Sequence, residues 1–158
     1  MSTSIVFIDS RVNDYQTLME GLPQSSEVYI VDGNSDGLAQ IVARLQGRTD
    51  IDALHIISHG SQAMVQLGST VLDSANLSTY ASQLKDIGRA LTDTGDILLY
   101  GCNVAQGELG QAFITQLAQV TGADVAASTD LTGAAALGGN WLLEQVSGAL
   151  EVTPVESL

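Results

Sequence analysis

Short apolar runs alternate along the chain with segments in which apolar side chains recur every three or four residues. The runs predict strands at residues 5–8, 27–31, 53–58, 97–100 and 124–127, and a late edge strand at 141–146. Helical spacing predicts helices at residues 15–22, 36–45, 77–91 and 110–120. Alternating apolar residues on either side of Gly68 and Ser69 predict a β-hairpin at residues 64–72. Strands separated by helices favour an α/β fold with a mainly parallel central sheet.

The length of 158 residues fits a single domain that can bury a substantial core. We expect the domain to span residues 1–150 and residues 151–158 to form a tail or linker. Hydrophobic residues make up 45% of the chain but aromatic residues only 4%, so the core has to be built mainly from Ala, Val, Ile and Leu. A sheet covered by helices suits such a core.

The excess of acidic over basic residues excludes some classes of binding partner. With 18 acidic and 5 basic residues the formal net charge is -13, which argues against binding to nucleic acid or to anionic membranes. No apolar stretch is long enough for membrane insertion. Residues 1–4 lack the features of a secretory signal. Three alternatives stay open: the protein is cytoplasmic, the chain is a piece of a longer protein, or export uses a signal elsewhere. As part of a large secreted protein it would be extracellular or at the cell surface.

The strongest chemical signal lies where two predicted strands end. Ser58, His59 and Gly60 follow the third strand, and Gly101, Cys102 and Asn103 follow the fourth. Because parallel sheets bind ligands at the carboxyl ends of their strands, both groups are expected in one cleft. An imidazole beside a thiol can take its proton and generate the nucleophilic thiolate.

The same residues also have simpler interpretations. A single cysteine is often just a small buried apolar side chain, and strong negative charge raises the pKa of a thiol. Cys102 cannot form a disulfide within the chain or contribute to a cysteine-rich metal cluster. We interpret His55 as structural, and since no third ligand joins His55 and His59, we expect no metal and no cofactor.

The two strand ends resemble those of the caspase-like cysteine peptidases, the group that includes caspases, legumain, gingipains, clostripain and separase. The resemblance lies in the apolar run 53–60, which ends in His-Gly, and in the later run 97–102, which ends in Cys. It implies a caspase-like three-layer αβα sandwich with a small hairpin after the third strand. It also implies that His59 is the base, that Cys102 is the nucleophile, and that Gly60 supplies an N–H to the oxyanion.

The same resemblance implies a specificity pocket formed by residues after the first strand and near the end of the fifth. At those positions this chain has Asp9, Ser128 and Asp130, and the two acids would make a pocket that prefers Arg or Lys before the cleaved bond. The alternative interpretation of both acids is turn or cap chemistry.

A second resemblance covers nearly all of residues 5–146. The chain is similar to a bacterial domain family of unassigned function, found near the start of very large secreted, adhesin-like proteins with cadherin-type or calcium-binding repeats. The stretches that carry it are residues 59–61, 66–68, 99–105, 121–130 and 137–141.

Three functions are therefore weighed. The first is a cysteine endopeptidase that acts on a polypeptide, including its own parent chain in cis. The second is a peptidase-like module without catalysis that serves adhesion or scaffolding in a larger protein. The third, a nucleotide-binding flavodoxin-like domain, ranks low because no Gly-rich phosphate loop with a Lys follows the first strand. The oligomeric state stays open.

Overall fold

The computed structural model describes residues 4–10, 27–100, 104, 107–127 and 145–146, with the backbone alone at residues 59, 60, 94, 145 and 146. The described strands are β1 (Ser4–Asp9), β2 (Glu27–Val31), β3 (Ile51–Ile57), β4 (His59–Ser61), β5 (Met64–Leu67), β6 (Thr70–Asp73), β7 (Leu91–Tyr100), β8 (Asp124–Ala127) and β9 (Gln145–Val146). The described helices are α1 (Gly37–Leu45), α2 (Ala81–Ala90) and α3 (Gly107–Thr121). The helix predicted at 15–22 lies outside the described residues.

The main sheet has six strands in the order β2-β1-β3-β7-β8-β9. All neighbours pair in parallel except β8 and β9, which pair antiparallel at the edge. β3 lies near the middle, and its almost continuous burial matches the apolar sequence expected of a strand covered on both faces. The predicted α/β fold with a mainly parallel central sheet is confirmed.

The two faces of this sheet have different neighbours. Alternate side chains of β3 and β7, including Leu54, Ile56, Ile97 and Leu99, belong to the same apolar core as the buried residues of the three described helices. The intervening side chains of these strands form the other face. They are buried too, and they include the polar residues His55 and Tyr100.

Helix α1 begins and packs as its sequence predicts. The Asp36 side chain caps α1 by accepting a hydrogen bond from the Ala39 N–H at 3.1 Å. Leu38, Ile41 and Leu45 then lie on the buried side of α1, as their spacing predicts. Here the helical pattern and the capping residue agree, and the predicted helix is confirmed.

The predicted hairpin is confirmed as β5 and β6, but the sequence missed a third strand. β4 pairs antiparallel with β5, so that His59 opposes Gln66 and Gly60 opposes Val65. A three-stranded sheet, β4-β5-β6, therefore begins at the predicted base. This places the backbone of His59 in a hydrogen-bonded ladder rather than in an irregular loop.

The predicted helix at 77–91 is wrong at both ends. Before α2 the chain forms turns instead, because the Asp73 carboxylate accepts hydrogen bonds from the N–H groups of Ala75 and Asn76. Leu77 is buried although it is not helical, which explains the misleading apolar spacing. At the other end Leu91 already belongs to β7, where it pairs with Ile51.

Candidate active site

The strands that lead to the predicted dyad are neighbours in register. β3 and β7 pair in parallel, and their last residues, Ile57 and Tyr100, are register partners. His59 and Cys102 each follow those partners by two residues. Cys102 lies outside the described residues, and only the backbone of His59 and Gly60 is described. The distance between the predicted base and nucleophile thus stays a prediction, as does the oxyanion role of Gly60.

The turn between β4 and β5 contacts the chain just beyond Cys102. Ala63 has a φ of 57°, and its N–H donates a hydrogen bond of 3.0 Å to the carbonyl oxygen of Val104. On the same turn, Gln62 Nε2 lies 2.9 Å from the position that a Cβ on Gly107 would take. Residues three and four positions after His59 are therefore held against residues two and five positions after Cys102.

A second anchor ties the hairpin to the end of β1. The N–H of Gly68, in the β5–β6 turn, donates a hydrogen bond of 2.9 Å to Asp9 Oδ2. The next residue, Ser69, donates its N–H to the carbonyl oxygen of Ser35 at 2.8 Å. Thr70 adds a hydroxyl hydrogen bond of 2.6 Å to Asp36 Oδ1, the capping carboxylate of α1. Three consecutive hairpin residues are thus attached to the carboxyl end of β1 and to the residues that lead into α1.

Asp9 is placed differently from a typical pocket acid. Its side chain is only 2% exposed, and it belongs to the same set of alternate β1 side chains as Phe7, on the face of the helical core. One of its carboxylate oxygens serves the hairpin anchor. The other predicted pocket residues, Ser128 and Asp130, lie outside the described residues, so the pocket stays a prediction.

His55 and Tyr100 form a buried polar pair close to the strand ends. His55 Nδ1 lies 3.1 Å from the Tyr100 hydroxyl oxygen, and the rings stack with their centroids 5.9 Å apart. Burial lowers the pKa of His55 to about 4, so its imidazole is neutral at ordinary pH. His55 therefore offers a thiol partner no positive charge near neutral pH.

We expect His55 to make folding stability depend on pH. Its folded pKa is about 4, against an ordinary value of 6.5, so the unfolded chain binds more protons between these values. Stability is therefore full above pH 6.5 and falls as the pH drops towards 4, by about 2 kcal/mol between pH 7.5 and 5 from this group. Urea unfolding of wild type and His55→Asn at both pH values measures it.

The carboxylates common to both proteins cancel in that comparison, so the difference between the two pH dependences isolates His55. An equal loss of stability in wild type and variant would contradict a neutral, buried His55.

Both arginines that line a surface cleft in the described part of the chain are already paired. The cleft, of about 420 Å³, lies between α1 and α2 and away from the strand ends. Arg48 at its rim donates to Glu27 at 2.7 and 3.0 Å and to Asp50 at 3.1 Å, and Arg89 pairs with Asp86. The Arg48 guanidinium accordingly lowers the pKa of Glu27 and Asp50. These pairs leave the cleft a weak candidate for an anion site.

Two further findings concern the described part of the chain. Within it, no three side chains of His, Cys, Asp or Glu converge in a way that would hold a metal ion. None of its helices combines the length and apolarity needed to cross a bilayer.

The structure defines the class of domain. It is an α/β domain in which a hairpin directly follows a central strand of the sheet, and in which two neighbouring strands lead to the candidate catalytic residues. The family model described as "Domain of unknown function (DUF4347)" matches residues 5–157, and the chain belongs to that family. The search of curated proteins found no match.

Among solved structures, caspase-1 from Spodoptera frugiperda is similar, with 11% sequence identity and a TM-score of 0.40. That match covers 84% of this chain and 62% of the caspase chain, so this chain spans less than two thirds of the caspase's length. Any catalytic assignment has to come from the chain's own residues.

Proposed function

We propose that this domain is a cysteine peptidase in which His59 and Cys102 cleave a polypeptide through a thioester intermediate. The observation that carries the proposal is the register of β3 with β7. Ile57 pairs with Tyr100, and the two candidate residues follow these partners at the same distance along the chain. Because side chains alternate along a strand, equal offsets from register partners favour the same face and the same height.

The contacts of the β4–β5 turn give independent support. A hydrogen bond from Ala63 to Val104 and the approach of Gln62 to Gly107 hold the chain after His59 against the chain after Cys102. These contacts just after His59 and Cys102, together with the strand pairing just before them, support a short distance between the two residues.

The proposed reaction has two steps. The Cys102 thiolate attacks the carbonyl carbon of the scissile peptide bond, a C–S bond forms, and the electron pair moves to an oxyanion that the Gly60 N–H stabilises. When this intermediate collapses, the C–N bond breaks and the amine leaves with a proton from His59. Water then attacks the thioester and gives a proton to His59. The C–S bond breaks, which restores the thiolate and releases a carboxylic acid, and this acid then loses its proton to water at neutral pH.

The substrate class follows from charge and from the residues implied for the pocket. We propose a preference for Arg or Lys before the cut, carried chiefly by Asp130, because Asp9 is buried and holds the hairpin. The resemblance to domains of giant secreted proteins makes a longer parent chain, cleaved in cis, the first natural substrate to test.

Thiol labelling tests the proposal directly, since Cys102 is the only cysteine. We expect the rate of alkylation by iodoacetamide, followed against pH, to give a thiol pKa below the ordinary value of about 8.5. His59→Ala should raise that pKa and slow labelling near pH 6 by about tenfold or more, because the imidazolium that stabilises the thiolate is lost.

The urea-unfolded wild-type chain is the matched control, because it holds the same cysteine without the fold. If folded wild type, His59→Ala and the unfolded chain share one pH dependence, the peptidase proposal fails. The module without catalysis then becomes the better account of the family.

A further inference from the structure

The pair formed by His55 and Tyr100 connects the two strands that lead to the proposed dyad. His55 lies on β3, four residues before His59, and Tyr100 is the last residue of β7, two residues before Cys102. The hydrogen bond between them, 3.1 Å from Nδ1 to the hydroxyl oxygen, therefore spans from one strand to the other.

The surroundings of the pair make this connection rigid. Tyr100 is 2% exposed and His55 5% exposed, so water does not compete for their hydrogen bond. The neighbouring side chains on the same face, Ile57 and Leu98, are apolar and buried. Among the described residues, the acids on this face are Asp96 and Asp124, which are register partners nearer the start of their strands.

The rings also restrict each other beyond the hydrogen bond. Their planes are inclined by 19° and their centroids lie 5.9 Å apart, which is a stacked arrangement. A stacked pair with a shielded hydrogen bond fixes both the separation and the rotation of the two strands at this level. The geometry of a dyad just beyond these strand ends would depend on both the separation and the rotation of the strands.

We propose that His55 and Tyr100 are positioning residues, which hold the ends of β3 and β7 so that His59 and Cys102 meet in a reactive geometry. This rests on the proposed peptidase function. Neither residue is assigned contact with the substrate, because both are buried and each has the other as a partner. Their effect is on the thiolate, through the backbone that carries it.

The test compares Tyr100→Phe with wild type by the pH dependence of iodoacetamide labelling at Cys102. Tyr100→Phe keeps the ring and removes the hydroxyl, and with it the hydrogen bond to His55. We expect labelling near pH 6.5 to slow about tenfold and the pKa of the Cys102 thiol to rise by about one unit. The reason is that the His59 imidazole is no longer held at the distance and orientation that stabilise the thiolate. His55→Asn, whose amide can occupy the place of Nδ1, should remain close to wild type.

Ile97→Val is the matched control, since it removes buried volume from the opposite face of β7 and weakens the fold without touching the pair. If Tyr100→Phe shows the same thiol pKa and rate as Ile97→Val, the positioning role is refuted. His55→Phe deletes the same hydrogen bond from the other side and replaces Tyr100→Phe if that variant does not fold. A wild-type profile equal to that of the unfolded chain instead refutes the peptidase function, and the positioning role with it.

Discussion

Gly68→Ala is expected to lower the free energy of unfolding by about 4 kcal/mol. Three effects add up: alanine disfavours the left-handed backbone, its Cβ meets backbone atoms too closely, and a hydrogen bond is lost. Gly68 has a φ of 59°, and a Cβ there would lie 2.2 Å from the Ser35 carbonyl oxygen and 2.8 Å from that of Asp32. These are backbone atoms, which cannot rotate away. The shift they force would also pull the Gly68 N–H from the buried Asp9 carboxylate.

Gly47→Ala separates these causes. Gly47 also has a positive φ, of 80°, but a Cβ there would meet nothing within 4 Å. It should lose only the backbone preference, about 1 kcal/mol. Urea unfolding of the two variants beside wild type measures both values. Equal losses at the two glycines would show that the contact between hairpin and strand ends contributes little.

The contrast matters for function because the hairpin begins at the proposed base. β4, which starts at His59, is paired to β5, and the β5–β6 turn is where Gly68 is anchored. A loosened Gly68 anchor frees the far end of this small sheet while the Ala63–Val104 hydrogen bond still holds its near end. The fold and the proposed site would therefore share one set of contacts at the carboxyl ends of the strands.

Local sequence patterns predicted the elements whose causes are local. The strands at Glu27–Val31 and Asp124–Ala127 have the predicted limits, because each is a short run that is followed directly by a polar residue, Asp32 or Ser128. The helix after Asp36 also follows from its cap and its apolar spacing. For the same reason the first half of β7 was missed, since Thr92, Asp93 and Thr94 show no apolar alternation.

The contacts that arrange the site could not be read in this way. The Asp9–Gly68 hydrogen bond joins residues 59 positions apart, and the Ala63–Val104 hydrogen bond uses backbone groups that any residue has. Asp9 was correctly singled out as the residue that ends β1, but its predicted role in substrate binding depends on neighbours that no local pattern reveals. One signal was available for His55 and Tyr100, because both precede candidate catalytic residues on adjacent strands.

The electrostatics of the site make His59 central to the proposal. The net charge of -13 disfavours a thiolate anywhere in this protein, and the first turn of α3, which follows Cys102, carries the acidic Glu108. His55 cannot provide a positive charge, since burial lowers its pKa to about 4. A reactive thiolate at Cys102 would therefore depend strongly on the imidazolium of His59.

Peptide cleavage should consequently fail in two variants for different reasons. With peptides that have Arg or Lys before the cut, we expect Cys102→Ala to abolish turnover and His59→Ala to lower kcat/KM by about a thousandfold or more. The first removes the atom that forms the thioester, and the second removes the group that moves the proton. The assay uses the full chain, with cleavage followed by mass spectrometry so that cuts in cis are also seen.

The preference for basic residues has its own expected result. Asp130→Asn should lower kcat/KM for Arg peptides by about tenfold relative to Ala peptides, because a carboxylate that pairs with the substrate cation is lost. Asp93→Asn makes the same change in net charge at an exposed position near the start of β7, so it controls for long-range attraction. Asp9→Asn should act on folding stability instead, through the Gly68 hydrogen bond.

If Asp93→Asn reduces the preference as much as Asp130→Asn, overall charge rather than a pocket attracts basic substrates. If cleavage survives Cys102→Ala, the cutting belongs to another protein in the sample.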